Sequence, residues 1–200
     1  VVWATIERGA SGEGYFAVPK EGSSFFISKE QFLQLRLSVR QELSEEEFNS
    51  LHTKITSLRC RDKALDYLAR REHARHELEV KLLNKGFSKE LIGPQLDQLE
   101  GANLLSDYRF AQNYIASRLR KSPEGAKMLI MRLLQKGVSR EMAQTVIQNS
   151  YNSEEALELA LERAIRRVGK EREDLLKELQ KRGFSYYEIT TFLDEKGEGY

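Results

Sequence analysis

Two kinds of hydrophobic pattern run along this chain of 200 residues. In the first, over residues 2–27, the apolar positions are β-branched or aromatic: Val2, Trp3, Ile6, Tyr15, Phe16, Val18, Phe25, Phe26 and Ile27. Gly9, Gly12, Gly14, Pro19 and Gly22 break them up. Such runs predict strands near 2–7, 14–18 and 24–28 joined by tight turns. The trio Gly9, Gly12, Gly14 reads as a hairpin loop, because a phosphate-binding glycine loop would have to feed a helix. Ser28 then caps a short helix over 29–36.

From Ser44 onward the pattern is helical. Ser44 can cap free amides, and Glu45, Glu46 and Glu47 complement the positive end of a helix dipole. Phe48, Leu51, Ile55, Leu58, Leu65 and Ala69 follow at helical spacing, with Asp62 interrupting the stripe. One long helix over 45–71, with a bend possible near Cys60, accounts for them.

The chain then repeats itself. Lys85-Gly86-Phe87-Ser88 recurs as Lys136-Gly137-Val138-Ser139 and as Arg182-Gly183-Phe184-Ser185. Eight positions before the glycine stands Leu78, Leu129 or Leu175, and four before it Leu82, Leu133 or Leu179. Six after it stands Ile92, Ala143 or Ile189, and ten after it Leu96, Ile147 or Leu193. Intervals of 51 and 46 residues with matching apolar offsets signal stacked supersecondary units. Within a unit, a helix runs into a left-handed cap glycine, a basic residue favours the negative dipole end, and the serine caps the next helix. A further helix precedes each pair: the end of the long helix, then 107–120, then 154–168. Ser106 with Asp107 caps one of these, and Ser122 with Pro123 starts the helix after it.

The fold class expected is therefore mainly α, three tandem three-helix repeats in an elongated curved array with a small N-terminal β-hairpin module. The boundaries expected are 1–43 for that module with its short helix, then repeats over 44–106, 107–152 and 153–200.

Charge changes this picture. Lys+Arg 32 against Asp+Glu 31 leaves +1, and a mean hydropathy of -0.56 fits a surface-rich chain rather than a polycation. The balance is an average over unlike parts. Residues 1–60 hold 7 basic and 8 acidic side chains, 61–153 hold 16 and 11, and 154–200 hold 9 and 12. Over 109–140, Arg109, Arg118, Arg120, Lys121, Lys127, Arg132, Lys136 and Arg140 face one acid, Glu124, a net +7. Arg118, Arg120, Lys121, Lys127 and Arg132 flank one interhelix loop. Arg70, Arg71 and Arg75 hold the equivalent corner of the first repeat, and Arg163, Arg166, Arg167, Lys170 and Arg172 that of the third. A stripe built from such corners suits a phosphate backbone or an acidic protein groove. In the third repeat Glu171, Glu173, Asp174 and Glu178 favour a plain solvated face.

Catalytic patterns are missing from the chain: no Walker-type loop, no Gly-x-Ser-x-Gly, no His-Glu-x-x-His. His73 and His76 have metal-compatible spacing, but nothing near them in sequence completes a set and Arg70, Arg71 and Arg75 repel a cation. No enzyme activity, metal or cofactor is expected. No apolar run reaches about 18 residues and no signal peptide opens the chain. Cys60, the single cysteine, excludes an internal disulfide framework. A cytoplasmic monomer is the expectation.

Leu65, Leu68, Arg70, Arg71, Glu72, His73, Arg75, Glu77, Leu78 and Leu82 resemble the opening signature of the RecX family of bacterial RecA regulators. Leu104, Leu105, Asp107, Arg109, Phe110 and Ala111 resemble its second signature. Tyr114, Arg118, Lys121 and Gly125, then Leu133, Lys136, Gly137 and Val138, resemble its third. The likeness spans residues 62–195. It departs after Gly125, where Ala126, Lys127 and Met128 stand in place of consecutive basic residues, and at Ser106 in place of an acid. The resemblance implies binding in the groove of the RecA–single-stranded DNA filament, and inhibition of strand exchange, ATP hydrolysis and coprotease action, hence a part in recombination, repair and the SOS response. Arg70, Arg71, Arg75, Arg118, Arg120, Lys121, Lys127 and Arg132 are the candidate filament-facing residues. The alternative is a helix-turn-helix DNA-binding regulator reading bases through Arg140, Gln144, Gln148 and Asn149. The matching register elsewhere carries Asp97, Asp194 and Glu195, which phosphate disfavours.

Overall fold

Alternation in the first segment gives a sheet one apolar face. The computed structural model describes residues 2–10 and 12–197. Strands β1 (Ala4–Arg8), β2 (Tyr15–Pro19) and β3 (Phe25–Ile27) form an antiparallel sheet. A fourth strand, β4 (Glu42–Leu43), pairs antiparallel with β1, so the order is β3-β2-β1-β4. Two residues are too short to show alternation, and the sequence pattern did not predict β4. The glycine trio lies in the β1–β2 connection, where the Gly9 N–H donates to the Gly14 carbonyl at 2.9 Å. This is the hairpin loop expected.

Ala4, Ile6, Ala17, Ile27 and Leu43 are buried on one face of the sheet. Phe32 of helix α1 (Lys29–Gln34) and Leu51 and Ile55 of α2 (Glu45–Leu68) pack with them. Ser28 caps α1 in a reciprocal box with Gln31, and Ser44 does the same with Glu47 at the start of α2. α2 continues unbroken through Cys60, which is buried.

The remaining helices are α3 (Arg75–Leu83), α4 (Lys89–Gly101), α5 (Asp107–Lys121), α6 (Ala126–Gln135), α7 (Arg140–Ser150), α8 (Ser153–Val168), α9 (Arg172–Lys181) and α10 (Tyr186–Lys196). The repeat read from the sequence recurs bond for bond. Phe87, Val138 and Phe184 donate backbone N–H groups to Leu82, Leu133 and Leu179, while each preceding glycine donates to Leu83, Leu134 or Gln180. Gly86, Gly137 and Gly183 take φ of +88°, +85° and +89°. These are Schellman caps, and the left-handed residue is glycine because a Cβ would strain it. Every repeated apolar position is buried except Phe87 and Ile147, which are partly buried, Ile147 against the same cluster as Ala143. The third expected repeat runs to residue 200, and its positions 198–200 lie outside the described residues.

The chain divides into two compact units, one of residues 1–66 with 81–98, the other of 67–80 with 99–200. Within the second, Phe110, Ile115, Leu129, Leu133 and Val146 form one cluster with Ala74. Leu157, Leu161, Leu175, Phe184 and Phe192 form another, and Leu119 and Tyr151 pack against both.

Two cap glycines in this unit serve a second purpose. A Cβ at Gly137 would lie 2.3 Å from the Cβ of His76, and one at Gly183 would lie 2.6 Å from the Cβ of Met128. The cap of one repeat thus sits directly on the first turns of the preceding repeat's second helix. Gly125 completes the second contact. Its N–H donates to the Arg182 carbonyl at 2.9 Å, and a Cβ there would be 2.3 Å from the Gly183 oxygen.

That contact corrects one expected boundary. Ser122 closes α5, its N–H bonded to the Arg118 carbonyl at 2.7 Å, instead of opening the next helix. Pro123 follows this cap, Gly125 is the N-cap residue, and α6 begins at Ala126. Among the described residues no helix is long and apolar enough to cross a membrane.

Candidate binding surface

All eight candidate residues fall in the second unit. The loop between α5 and α6 decides what two of them do. Glu124, at 4% exposure, is buried there beside Pro123 and Gly125. Arg132 donates to it through Nε at 2.7 Å and Nη2 at 2.8 Å, and Arg118 donates through Nη2. The Glu124 carbonyl accepts from the Tyr151 hydroxyl at 3.0 Å. Burial pushes the Tyr151 phenol well above its ordinary range, so it remains the donor. Hydrogen bonding to Glu124 raises the Arg132 pKa further. The lone acid of the basic segment is therefore an internal counter-ion for two arginines.

Two arginines of the first-repeat corner are also paired. Arg71 donates to Glu77 at 2.5 Å and 3.1 Å, and the Arg75 guanidinium pairs with Glu100. The Arg75 N–H donates to Asp107 Oδ1 at 2.7 Å, so Asp107 caps α3 as well as opening α5. Arg109 donates to Glu72 at 2.7 Å. His73 is buried with Nδ1 2.9 Å from the Arg71 carbonyl, a structural placement. Among the described residues no group of three or more His, Cys, Asp or Glu side chains could hold a metal.

Arg70, Arg120, Lys121 and Lys127 are exposed. Arg120 and Lys121 end α5, and Arg163 of α8 fixes that corner by donating to both of their carbonyls, at 2.6 Å for Arg120. Arg163 thereby adds a third cation beside them. Lys127 stands in the first turn of α6. The arrangement suits electrostatic capture of an anionic surface.

Residues 60–99 match the family model of the first three-helix domain of RecX, and 106–147 match the second. The regulatory protein RecX of Prosthecochloris aestuarii is 37% identical over 137 residues, which cover 67% of this chain and 91% of the relative. This chain belongs to the RecX family of regulatory proteins. The RecX protein of Chlorobaculum tepidum is 36% identical over 132 residues, 64% of this chain and 82% of the relative. A crystal structure of regulatory protein RecX covers 97% of this chain and 100% of its own, with a TM-score of 0.74 at 21% identity. RecX from Lactobacillus salivarius covers 70% of this chain and 96% of its own, with a TM-score of 0.62 at 23% identity. These two likenesses show the fold, mostly helical with three-helix domains. The two RecX domain matches span all eight candidate residues.

Proposed function

We propose that this chain binds the filament that RecA forms on single-stranded DNA and inhibits its recombinase, ATPase and coprotease activities. It acts in the cytoplasm, as a monomer, with no chemistry of its own. Membership of the RecX family supports the reading. The observation that carries it to particular residues is the exposure of Arg120 and Lys121 at the end of α5, where Arg163 bonds to their carbonyls, and of Lys127 at the start of α6. A filament groove presents acidic protein surface and DNA phosphate, and both attract exposed cations. Arg70 extends the surface. Arg71, Arg75, Arg118 and Arg132 belong to it in a secondary way, since their guanidinium groups already neutralise acids of this chain. The scaffold of this reading is three tandem repeats over 44–106, 107–152 and 153–200.

The test is a titration of the purified protein into a recombinase ATPase assay on single-stranded DNA at about 50 mM and about 200 mM salt. Inhibition that weakens at the higher salt is expected. Unchanged ATPase and strand exchange at both would overturn the proposal. Sequence-specific duplex binding without recombinase would favour the helix-turn-helix alternative.

A further inference from the structure

α6 is more apolar than its place in the core requires. Leu129 and Leu133 face the cluster and are fully buried. Yet Met131 is 49% exposed, and Ile130 and Leu134 are only partly covered. These three residues line an open groove of about 460 Å³, whose other lining residues are Lys127, Arg140 and Gln144. Lys127 and Arg140 are both exposed, and no acidic side chain lines the groove among the described residues.

The repeat supplies an internal control. Counted from the cap glycine, Ile130, Met131 and Leu134 correspond to Glu79, Val80 and Leu83 in the first repeat, and to Leu176, Lys177 and Gln180 in the third. Lys127 corresponds to His76 and Glu173, and Arg140 to Lys89 and Tyr186. The core positions keep their character in all three copies. Only the middle copy has three aliphatic residues here with a cation on either side. The fold does not need this combination.

We propose that the groove docks an acidic protein segment that inserts a large aliphatic side chain. The occupant follows from complementarity: the two exposed cations of the lining select acidic residues, and its three apolar side chains select an apolar anchor. Met131, flexible and polarisable, adapts to such an anchor. Single-stranded nucleic acid is the poorer match, because bases bind by stacking on aromatic rings and none lines the groove among the described residues. The groove shares Lys127 with the proposed filament-facing surface, but the inference is argued from Met131, Ile130, Leu134 and Arg140 as well and does not rest on filament inhibition.

Fluorescence anisotropy of the full chain tests it. The probe is a short labelled peptide of Asp and Glu carrying two leucines one helical turn apart. Controls are the same peptide with serines for leucines, and a labelled oligothymidylate. Leucine-peptide binding is expected to weaken about tenfold or more with the serine peptide, with Met131→Asp, and with Lys127→Ala/Arg140→Ala together. Met131 is half-exposed, so Met131→Asp should keep its helical circular dichroism, and Met131→Leu should retain binding. Equal binding of both peptides, or unchanged binding by Met131→Asp, would overturn the proposal. So would oligothymidylate binding that Met131→Asp abolishes. The assay contains no recombinase, so its failure leaves the ATPase inhibition standing, and the converse also holds.

Discussion

Arg132 and Glu124 are joined by two hydrogen bonds, at 2.7 Å and 2.8 Å, across the loop that separates α5 from α6. The carboxylate is buried and the guanidinium is not fully so. Breaking such a pair leaves a desolvated charge, which is costlier than never having made it. Arg118 still contacts Glu124 and Arg132 reaches solvent, so the loss falls below the full value for a buried pair. Arg132→Ala should lower unfolding free energy by about 2 kcal/mol in urea denaturation. Glu124→Gln/Arg132→Gln together should cost clearly less than the two single changes added. Additive losses would show that the pair carries no coupling.

The cap glycines separate two physical effects that are usually confounded. Gly86, Gly137 and Gly183 share a left-handed φ, but no atom lies within 4 Å of a Cβ added at Gly86. Gly86→Ala should therefore cost only the conformational strain, about 1–2 kcal/mol. At Gly137 and Gly183 the new methyl also meets a side-chain Cβ on the second helix of the preceding repeat, adding about 1–3 kcal/mol of overpacking. Thermal unfolding of the three alanine variants should rank Gly86→Ala mildest. Equal losses at all three would mean that the close approaches relax freely.

Much of this was legible in the chain because it is local chemistry. The left-handed cap, its serine N-cap and the apolar offsets all act within about a dozen residues of each glycine, and all recur in the structure. What escaped reading is long-range. Gly137 resting on His76 joins residues 61 positions apart, and no periodicity records it. The start of α6 was misplaced for the same reason, since Gly125 answers to the distant turn at Gly183. Glu124 looked like a residual acid in a basic segment, and its burial turns it into the segment's counter-ion. One signal was available: an acid six residues after Arg118 and eight before Arg132 is positioned to bridge two helix ends.

Glu188 gives a prediction in pH. Burial pushes its carboxyl up, but hydrogen bonds from the Ser185 side chain, the Ser185 N–H and the Ser153 hydroxyl outweigh that and hold it below its ordinary value of 4.5. A depressed folded-state pKa stabilises the fold above the unfolded value, and the benefit fades as pH falls through the folded value. The stability difference between the wild type and Glu188→Gln should thus be constant near neutrality and shrink on acidification from about pH 5 to about pH 3. Urea midpoints across that range measure it, and a difference that stays constant would remove the carboxylate from this capping box.

The filament proposal is best probed at cations that hold nothing together. Charge removal at Arg118 or Arg132 also strips Glu124 of a partner, so lost inhibition there would mix weaker binding with a weakened α5–α6 loop. Arg120, Lys121 and Lys127 are free of that ambiguity, because the Arg163 contacts to residues 120 and 121 use their backbone carbonyls. Arg120→Ala/Lys121→Ala/Lys127→Ala should keep the unfolding midpoint and circular dichroism of the parent. Removing three charges from the proposed contact should raise the concentration needed for half-inhibition about tenfold or more at low salt. It should also flatten the dependence of inhibition on salt, since fewer counterions are then released on binding. A triple variant that inhibits fully, with the parent's salt dependence, would place the filament contact elsewhere on the molecule. Loss of inhibition with unchanged salt dependence would mean that these side chains act through shape rather than charge.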